Sequence, residues 1–150
     1  MQVSKRSQYA LEAVLYLALH MHTEHENIKA IAEKLGTSWK YLEQIFIVLK
    51  RNGIVDSIRG AQGGYRLAKK PEEITAGEII RALEGPLAPV PCVIEGPGRK
   101  LCERYEGCVT RGLWEKIMHE INRTADLVSI SDMAASYRKT EYEESGNFLI

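Results

Sequence analysis

Residues 28–67 read IKAIAEKLGTSWKYLEQIFIVLKRNGIVDSIRGAQGGYRL and give the strongest indication of the fold. Its apolar residues recur every three or four positions in two blocks, the second running from Leu42 to Leu49, which predicts two amphipathic helices. The two helices are separated only by Gly-Thr-Ser, in which Gly36 can end the first helix and Ser38 can cap the second. A short helix, a three-residue turn and a longer helix are typical of a helix-turn-helix.

Two short strands are expected directly after the helix-turn-helix. Ile54, Val55 and Ile58 lie before the loop RGAQGG, and Tyr65 and Leu67 lie after it. The glycines of this loop permit the positive backbone angles of a long hairpin turn. A hairpin in this place is a wing, and an amphipathic helix over about residues 7–21 precedes the unit.

The rest of the chain is expected to continue as helices and one irregular loop. Thr75 and Glu78 form the pattern of a capping box, and the helix that they begin ends at Gly85. The predicted fold is mainly α with a small β wing. Its parts are a winged helix-turn-helix domain at 1–85, a cysteine-containing loop at 86–108, a long dimerisation helix with a return segment at 109–137, and a flexible tail at 138–150.

The long helix after Cys108 carries an apolar stripe of Leu113, Ile117, Ile121 and Ala125. This stripe is wide for a helix that follows a finished core, so a two-fold partner is the economical way to cover it. The sequence therefore predicts a homodimer. The alternative is that this helix packs back onto the first helix of its own chain.

Charge is unevenly distributed over the 150 residues, although the formal net charge is zero. Residues 1–70 hold eleven Lys/Arg and six Asp/Glu, whereas residues 71–150 hold nine and fourteen. A basic first half suits a polyanionic partner. We expect no signal peptide, because Glu12 interrupts the first apolar stretch, and no apolar run reaches membrane-spanning length. We therefore expect a cytoplasmic protein with reduced thiols and no membrane partner.

The exposed face of the second helix of the helix-turn-helix predicts contact with double-stranded promoter DNA. Gln44 can pair with adenine and Glu43 can accept from the cytosine amino group, whereas Arg59 at the wing tip suits a narrow minor groove. The alternative is an ordinary solvated face. The candidate DNA-binding residues are Ser38, Lys40, Tyr41, Glu43, Gln44, Lys50, Arg51 and Arg59.

All three cysteines lie in CVIEGPGRKLCERYEGC, at Cys92, Cys102 and Cys108. An odd number of thiols in a reducing compartment argues against disulfides. Zinc ligands usually come as CxxC-type pairs, which are absent, whereas long intervals allow thiolates to wrap a cluster. From the residues alone an iron–sulfur cluster, zinc, and redox-active or inert thiols all stay open.

Residues 37–86 read TSWKYLEQIFIVLKRNGIVDSIRGAQGGYRLAKKPEEITAGEIIRALEGP and resemble the winged-helix regulators related to IscR, the iron–sulfur cluster regulator. The segments YLEQ, LKRNGIV, SIRGAQGGY and ITAGEIIRALEG carry the resemblance, which extends over about residues 1–130. It implies a homodimer, base reading by Glu43 and Gln44, and a minor-groove role for Arg59.

The resemblance also implies a cluster on Cys92, Cys102 and Cys108, since members that bind one place three cysteines in this loop. It implies [2Fe–2S] in the first place, with [4Fe–4S] as the alternative. Where close relatives have a histidine after the last cysteine, this chain has Arg111, which is a poor ligand because it stays protonated. The fourth ligand is therefore open. Candidates are Glu103, Glu106, His119, a residue near Gln8 of the partner, a small thiol or water.

The resulting hypothesis is an iron–sulfur-dependent repressor of cluster-assembly genes that is not an enzyme. A second branch of the family, the CymR regulators of cysteine metabolism, lacks these cysteines and acts with a partner protein, so a CymR-like regulator is the alternative. A third alternative is an iron–sulfur redox protein or enzyme. No paired acid and base that would form a catalytic site is evident in the sequence.

Overall fold

The computed structural model describes residues 1–96 and 102–146. The predicted winged helix-turn-helix is confirmed. Its elements are α1 (Lys5–Leu19), α2 (Ile28–Leu35), α3 (Trp39–Arg51), β1 (Val55–Ile58), β2 (Gly64–Leu67) and α4 (Ala76–Glu84). Two further helices follow, α5 (Arg111–Leu127) and α6 (Ile130–Gly146), and short 3-10 turns lie at Pro71–Glu73 and Pro91–Val93.

Side-chain caps and one glycine define the ends of the helices in the helix-turn-helix. Asn27 accepts from the backbone N–H of Lys29 at 2.8 Å and Ser38 accepts from that of Tyr41 at 3.1 Å. Between them Gly36 ends α2 with φ +69°, a left-handed conformation that favours glycine. The turn is therefore specified locally, as the sequence predicted.

One apolar core joins α1, α2, α3, α4 and the wing. Phe46 lies at its centre, where its ring is completely buried and lies 4.4 Å from the ring of Tyr65 on β2. Burying such side chains stabilises a domain by about 1.5–3 kcal/mol each. The fully buried members include Val14, Ile31, Leu42, Ile45, Leu49, Ile54, Val55, Ile74 and Ile79.

The wing is an antiparallel pair in which Val55 faces Leu67 and Ile58 faces Gly64. The segment before α2 pairs with β2 through an isolated antiparallel bridge, in which the backbones of Glu26 and Tyr65 exchange two hydrogen bonds of 2.8 Å. A Cβ on Gly64 would lie 2.2 Å from the Glu26 carbonyl oxygen, so this close approach requires glycine. The sequence did not reveal this bridge.

The expected capping box of α4 forms by half. Thr75 accepts from the backbone N–H of Glu78 at 3.1 Å, but the Glu78 carboxylate binds the Lys69 ammonium at 2.6 Å instead of returning to the helix end. A nearby cation draws the carboxylate away from the cap.

Helix α6 differs from the expected flexible tail at 138–150, since residues 138–146 are helical and residues 147–150 lie outside the described part of the chain. Ser129 and Asp132 cap α6 reciprocally, at 2.9 and 3.0 Å, and Ile130 is fully buried. After this anchored start no Gly or Pro interrupts the helix before Gly146. Its second half is polar on all sides, and periodicity therefore gave no signal.

Helix α5 packs on α4, and of the two C-terminal helices it is α6 that packs against α1. No residue of α5 is buried within one chain, and Leu113 is 53% exposed. The predicted apolar stripe is thus present and open to a partner. In the described part of the chain, no helix has the length and apolarity that crossing a bilayer requires.

Candidate DNA-binding surface and cysteine loop

The outer face of α3 presents the predicted base-reading residues. Leu42 and Ile45 fix the inner face in the core, so Lys40, Tyr41 and Gln44 are exposed on the other side. Ser38 lies at the end of the same face, and its hydroxyl oxygen serves as the helix cap. These four residues form one surface at the amino-terminal turns of α3.

Glu43 lies between this surface and the wing. It is half-buried. Burial of the Tyr65 hydroxyl is the main cause that raises the pKa of Tyr65, and the negative charge of Glu43 adds to it. Tyr65 belongs to β2, so a carboxylate sits at the junction of α3 and the wing. Such a group accepts from base amino groups and repels phosphates, which suits the selective role expected for Glu43.

The two predicted phosphate contacts at the end of α3 are not equivalent. Lys50 donates from its ammonium to the Ser57 hydroxyl at 2.6 Å and thereby ties α3 to β1. Arg51 is exposed and makes no ion pair within the described residues. The structure thus gives Lys50 a bracing contact that the sequence did not show.

Arg59 is exposed at the wing tip, followed by Gly60 with φ +113°. His25 binds the Gln62 carbonyl through Nε2, while its buried Nδ1 has no hydrogen-bond partner among the residues that the structure describes. His25 thus holds the loop that carries Arg59. Only a contact between residues far apart in sequence could have revealed this role.

Trp39 and Lys29 also belong to the exposed end of the helix-turn-helix, and the sequence pattern did not single them out. The Lys29 and Lys40 ammonium groups lie 5.3 and 5.8 Å from the centre of the Trp39 ring. On the other side, the ring of Tyr9 meets that of Tyr41 edge-on at 5.9 Å. The available signal was an aromatic residue directly after a helix cap and before a lysine.

The cysteine loop connects the winged domain to α5. Cys92 lies in the 3-10 turn next to buried Val93, Cys102 is exposed, and Cys108 lies just before α5. All three thiols are free. A hydrogen bond with the Thr110 hydroxyl at 3.3 Å is the main cause that lowers the pKa of Cys108, and the backbone N–H of Arg111 adds to it.

The chemical type of the donors fits an iron–sulfur cluster, because three thiols come from one loop and the lowered pKa of Cys108 favours its thiolate form. It is not a preformed cage: within residues 1–96 and 102–146, no three His, Cys, Asp or Glu side chains gather where one metal ion could bind them. The loop would have to close to bring the thiols together.

Arg111, which stands where the resemblance implies a histidine, contacts the loop through its guanidinium. Its guanidinium lies over the Tyr105 ring, donates to the Tyr105 carbonyl oxygen, and pairs with Glu115 at 3.4 Å. Tyr105 in turn donates its N–H to the Cys102 carbonyl at 2.9 Å. Arg111 thus fixes the turn between Cys102 and Cys108 against α5.

The candidates for a fourth ligand are placed unequally. Glu103 and Glu106 are exposed in the turn, and Gln8 is exposed on α1. His119 shares a groove of about 620 Å³ with Val93 and Tyr105, so it faces the loop. Of these residues His119 is the one that the fold brings to the groove beside the cysteine segments.

Polar contacts link the winged domain to α5 beside this loop. Arg81 on α4 donates to Asn122 at 2.9 Å and also binds Asp126. Asn122 donates to the carbonyl of Leu87 at 2.8 Å, at the start of the cysteine-containing loop. The cysteine-containing loop therefore lies next to the contacts that join the winged domain to α5.

Comparisons with known proteins agree with this architecture. The profile of the Rrf2 family, described as iron-dependent transcriptional regulators, matches residues 3–136. Protein rrf2 of Nitratidesulfovibrio vulgaris is 37% identical over 133 residues, which cover 89% of this chain and 87% of that protein. The structure of CymR, the global cysteine regulator of B. subtilis, superposes with a TM-score of 0.73 at 35% identity, covering 91% of this chain and 98% of CymR. T. potens IscR also gives 0.73 at 35% identity, covering 93% and 90%.

Proposed function

The chain belongs to the Rrf2 family and is a DNA-binding transcriptional regulator, and from this we propose that it is a homodimeric repressor of iron–sulfur-cluster assembly genes whose DNA affinity depends on a cluster. The observation that carries the proposal is the place of the cysteines. All three lie in the segment that joins the winged domain to α5, a helix with no buried residue within one chain.

Promoter DNA would be read by the α3 surface and the wing. Ser38, Lys40, Tyr41, Glu43 and Gln44 are suited to the major groove, since the recognition helix of a helix-turn-helix contacts base edges with its first turns. Arg59 is suited to the minor groove. Arg51, and Lys50 when released from Ser57, are suited to phosphates.

The homodimer is supported by the apolar face of α5. Leu113, Ile117 and Ile121 lie on it and none is buried within one chain. Pairing α5 with its copy would bury this face, and two heads about 34 Å apart would match half-sites one turn apart on DNA.

Cys92, Cys102 and Cys108 would hold the cluster, [2Fe–2S] in the first place or [4Fe–4S] as the alternative. When bound, a cluster supplies a centre that responds to iron supply and oxidants. The chain's own residues supply the link to DNA binding. The loop begins at the Leu87–Asn122 contact and ends at the first turn of α5, and regulation requires that the two states of the loop differ in DNA affinity.

The test is purification without oxygen, followed by visible spectra and by iron and sulfide analysis. The wild type should be coloured, and Cys92→Ala and Cys102→Ala should each bleach it, whereas Ser136→Ala, an exposed position on α6, should not. A wild type with neither iron nor sulfide that still binds DNA normally would defeat the cluster part of the proposal.

The second candidate is a CymR-like regulator of cysteine metabolism controlled by a partner protein. Two observations favour it: the similarity to B. subtilis CymR, and the presence of Arg111 where a histidine ligand is expected. A colourless but DNA-binding wild type would select this candidate. The relatives are named as transcriptional regulators, which agrees with the prediction that the chain is not an enzyme. A cytoplasmic location is part of the proposal.

A further inference from the structure

We propose that Lys29 and Trp39, together with Lys40 of the α3 surface, form a phosphate-binding platform that extends the DNA contact of α3 and the wing onto α2. This inference rests on the chain's function in binding DNA and is independent of any cluster. Trp39 is the first residue of α3, and Lys29 is in the first turn of α2. The platform therefore spans both helices of the helix-turn-helix.

The packing of Trp39 shows that it does not serve the core. Its side chain is 39% exposed, and it is absent from the set of residues that make up or line the apolar cluster. Its ring is in contact range of two ammonium groups, at 5.3 Å for Lys29 and 5.8 Å for Lys40. An exposed cation–π contact is worth about 0.5–1 kcal/mol, which is enough to bias where a lysine head group lies.

The charge of this platform is uncompensated. Among the described residues, the ion pairs formed by lysine involve Lys69 and Lys139, and neither Lys29 nor Lys40 has a carboxylate partner. Two like charges held at one ring repel each other, so the arrangement gains when an anion binds between or beside them. Phosphate groups of a DNA backbone supply such an anionic charge.

The position of the platform also favours DNA. Lys40 and Tyr41 are neighbours on α3, so the platform is continuous with the base-reading surface. In a helix-turn-helix the first helix crosses the DNA backbone while the second enters the major groove. Lys29 at the start of α2 is therefore placed for the backbone, with Trp39 holding it towards the strand that flanks the α3 contacts.

The experiment measures binding to a random-sequence duplex as a function of salt. Each phosphate contact contributes about 0.9 to the slope of log affinity against log salt, so Lys29→Ala should lower the slope of a dimer by about 1.8. Lys34→Ala is the matched control, because this lysine is in the same helix but lines a groove facing α6. It should leave the slope nearly unchanged.

Trp39→Ala should also weaken duplex binding. Trp39→Phe, which keeps an aromatic face, should retain most of the wild-type affinity. The double variant Lys29→Ala/Trp39→Ala should lose less binding free energy than the sum of the losses in the two single variants, because the ring acts through the lysine. Additive losses would reject the role of Trp39. A slope for Lys29→Ala equal to that of the wild type would reject the platform. A wild type without salt-dependent duplex binding would instead mean that the assigned function had failed.

Discussion

The guanidinium of Arg111 lies 4.1 Å from the centre of the Tyr105 ring, and its N–H donates to the Tyr105 carbonyl oxygen. These two contacts connect the first residue of α5 to the middle of the turn between Cys102 and Cys108. Arg111, which stands where the resemblance implies a histidine, therefore organises the turn between Cys102 and Cys108. It does so with a side chain that stays protonated and repels metal ions.

Replacing Arg111 should loosen the turn without unfolding the protein. Arg111→Gln removes the cation–π contact and a charged hydrogen bond, together about 1–2 kcal/mol, so backbone amides of residues 102–108 should exchange with solvent about tenfold faster. Hydrogen-exchange mass spectrometry measures this directly. Arg123→Gln, on the same helix with an exposed pair to Glu120, is the control. Equal exchange in both variants would show that Arg111 does not hold the loop.

Glu84 connects the start of α1 to the end of α4, and this connection makes stability depend on pH. Its carboxylate accepts from the Ser7 hydroxyl at 2.6 Å and from the Ser4 N–H at 2.8 Å, and the Ser4 and Ser7 bonds lower the pKa of Glu84 below its ordinary value of 4.5. A lowered folded-state pKa means that the contribution is complete above the ordinary value and is lost as pH falls through the folded value.

Glu84→Ala should reduce the free energy of unfolding at neutral pH by about 1–2 kcal/mol, because the buried Ser7 hydroxyl loses its acceptor. Glu84→Gln keeps an acceptor and removes the charge, so its urea midpoint should fall less and should vary less below pH 4.5 than that of the wild type. Glu72→Ala is the control at an exposed glutamate. Identical acid dependence in Glu84→Gln and the wild type would contradict the assignment.

Glu43→Ala should broaden the DNA sequences that the protein accepts. Loss of the carboxylate removes both a partner for the cytosine amino group and a penalty against other bases, together worth about 1–3 kcal/mol of discrimination. In vitro selection from random duplexes measures this, with Glu33→Ala, an exposed acid on α2, as the control. A selected motif as narrow as that of the wild type would remove Glu43 from base reading.

A charge on the apolar face of α5 should separate the dimer. Ile117→Glu places a carboxylate in the centre of the stripe, and a monomer should then appear in analytical ultracentrifugation at concentrations where the wild type is dimeric. Arg123→Glu changes the same helix on another face and should stay dimeric. If Ile117→Glu is also dimeric, the subunits associate through a different surface.

The sequence predicted those parts of the fold that local chemistry sets. Ser38, Gly36 and Thr75 act within a few residues of their own position, and each was found in its expected role. The bridge between Glu26 and Tyr65, the His25 contact with Gln62, and the Lys50 contact with Ser57 depend on packing between distant segments, and no periodic pattern records them. The same holds for the candidate site. The helix-turn-helix motif and its polar outer face predicted the α3 surface, whereas no sequence pattern predicted the contacts of Arg111 with Tyr105.

The proposed dependence of DNA affinity on the cluster can be tested in one titration. A duplex enriched by in vitro selection is titrated with a single oxygen-free preparation, before and after its iron is removed by a chelator. We expect the two forms to bind this duplex with affinities at least about tenfold apart, a coupling of about 1.4 kcal/mol. Equal affinities, measured on a preparation shown to have held iron and sulfide, would contradict it.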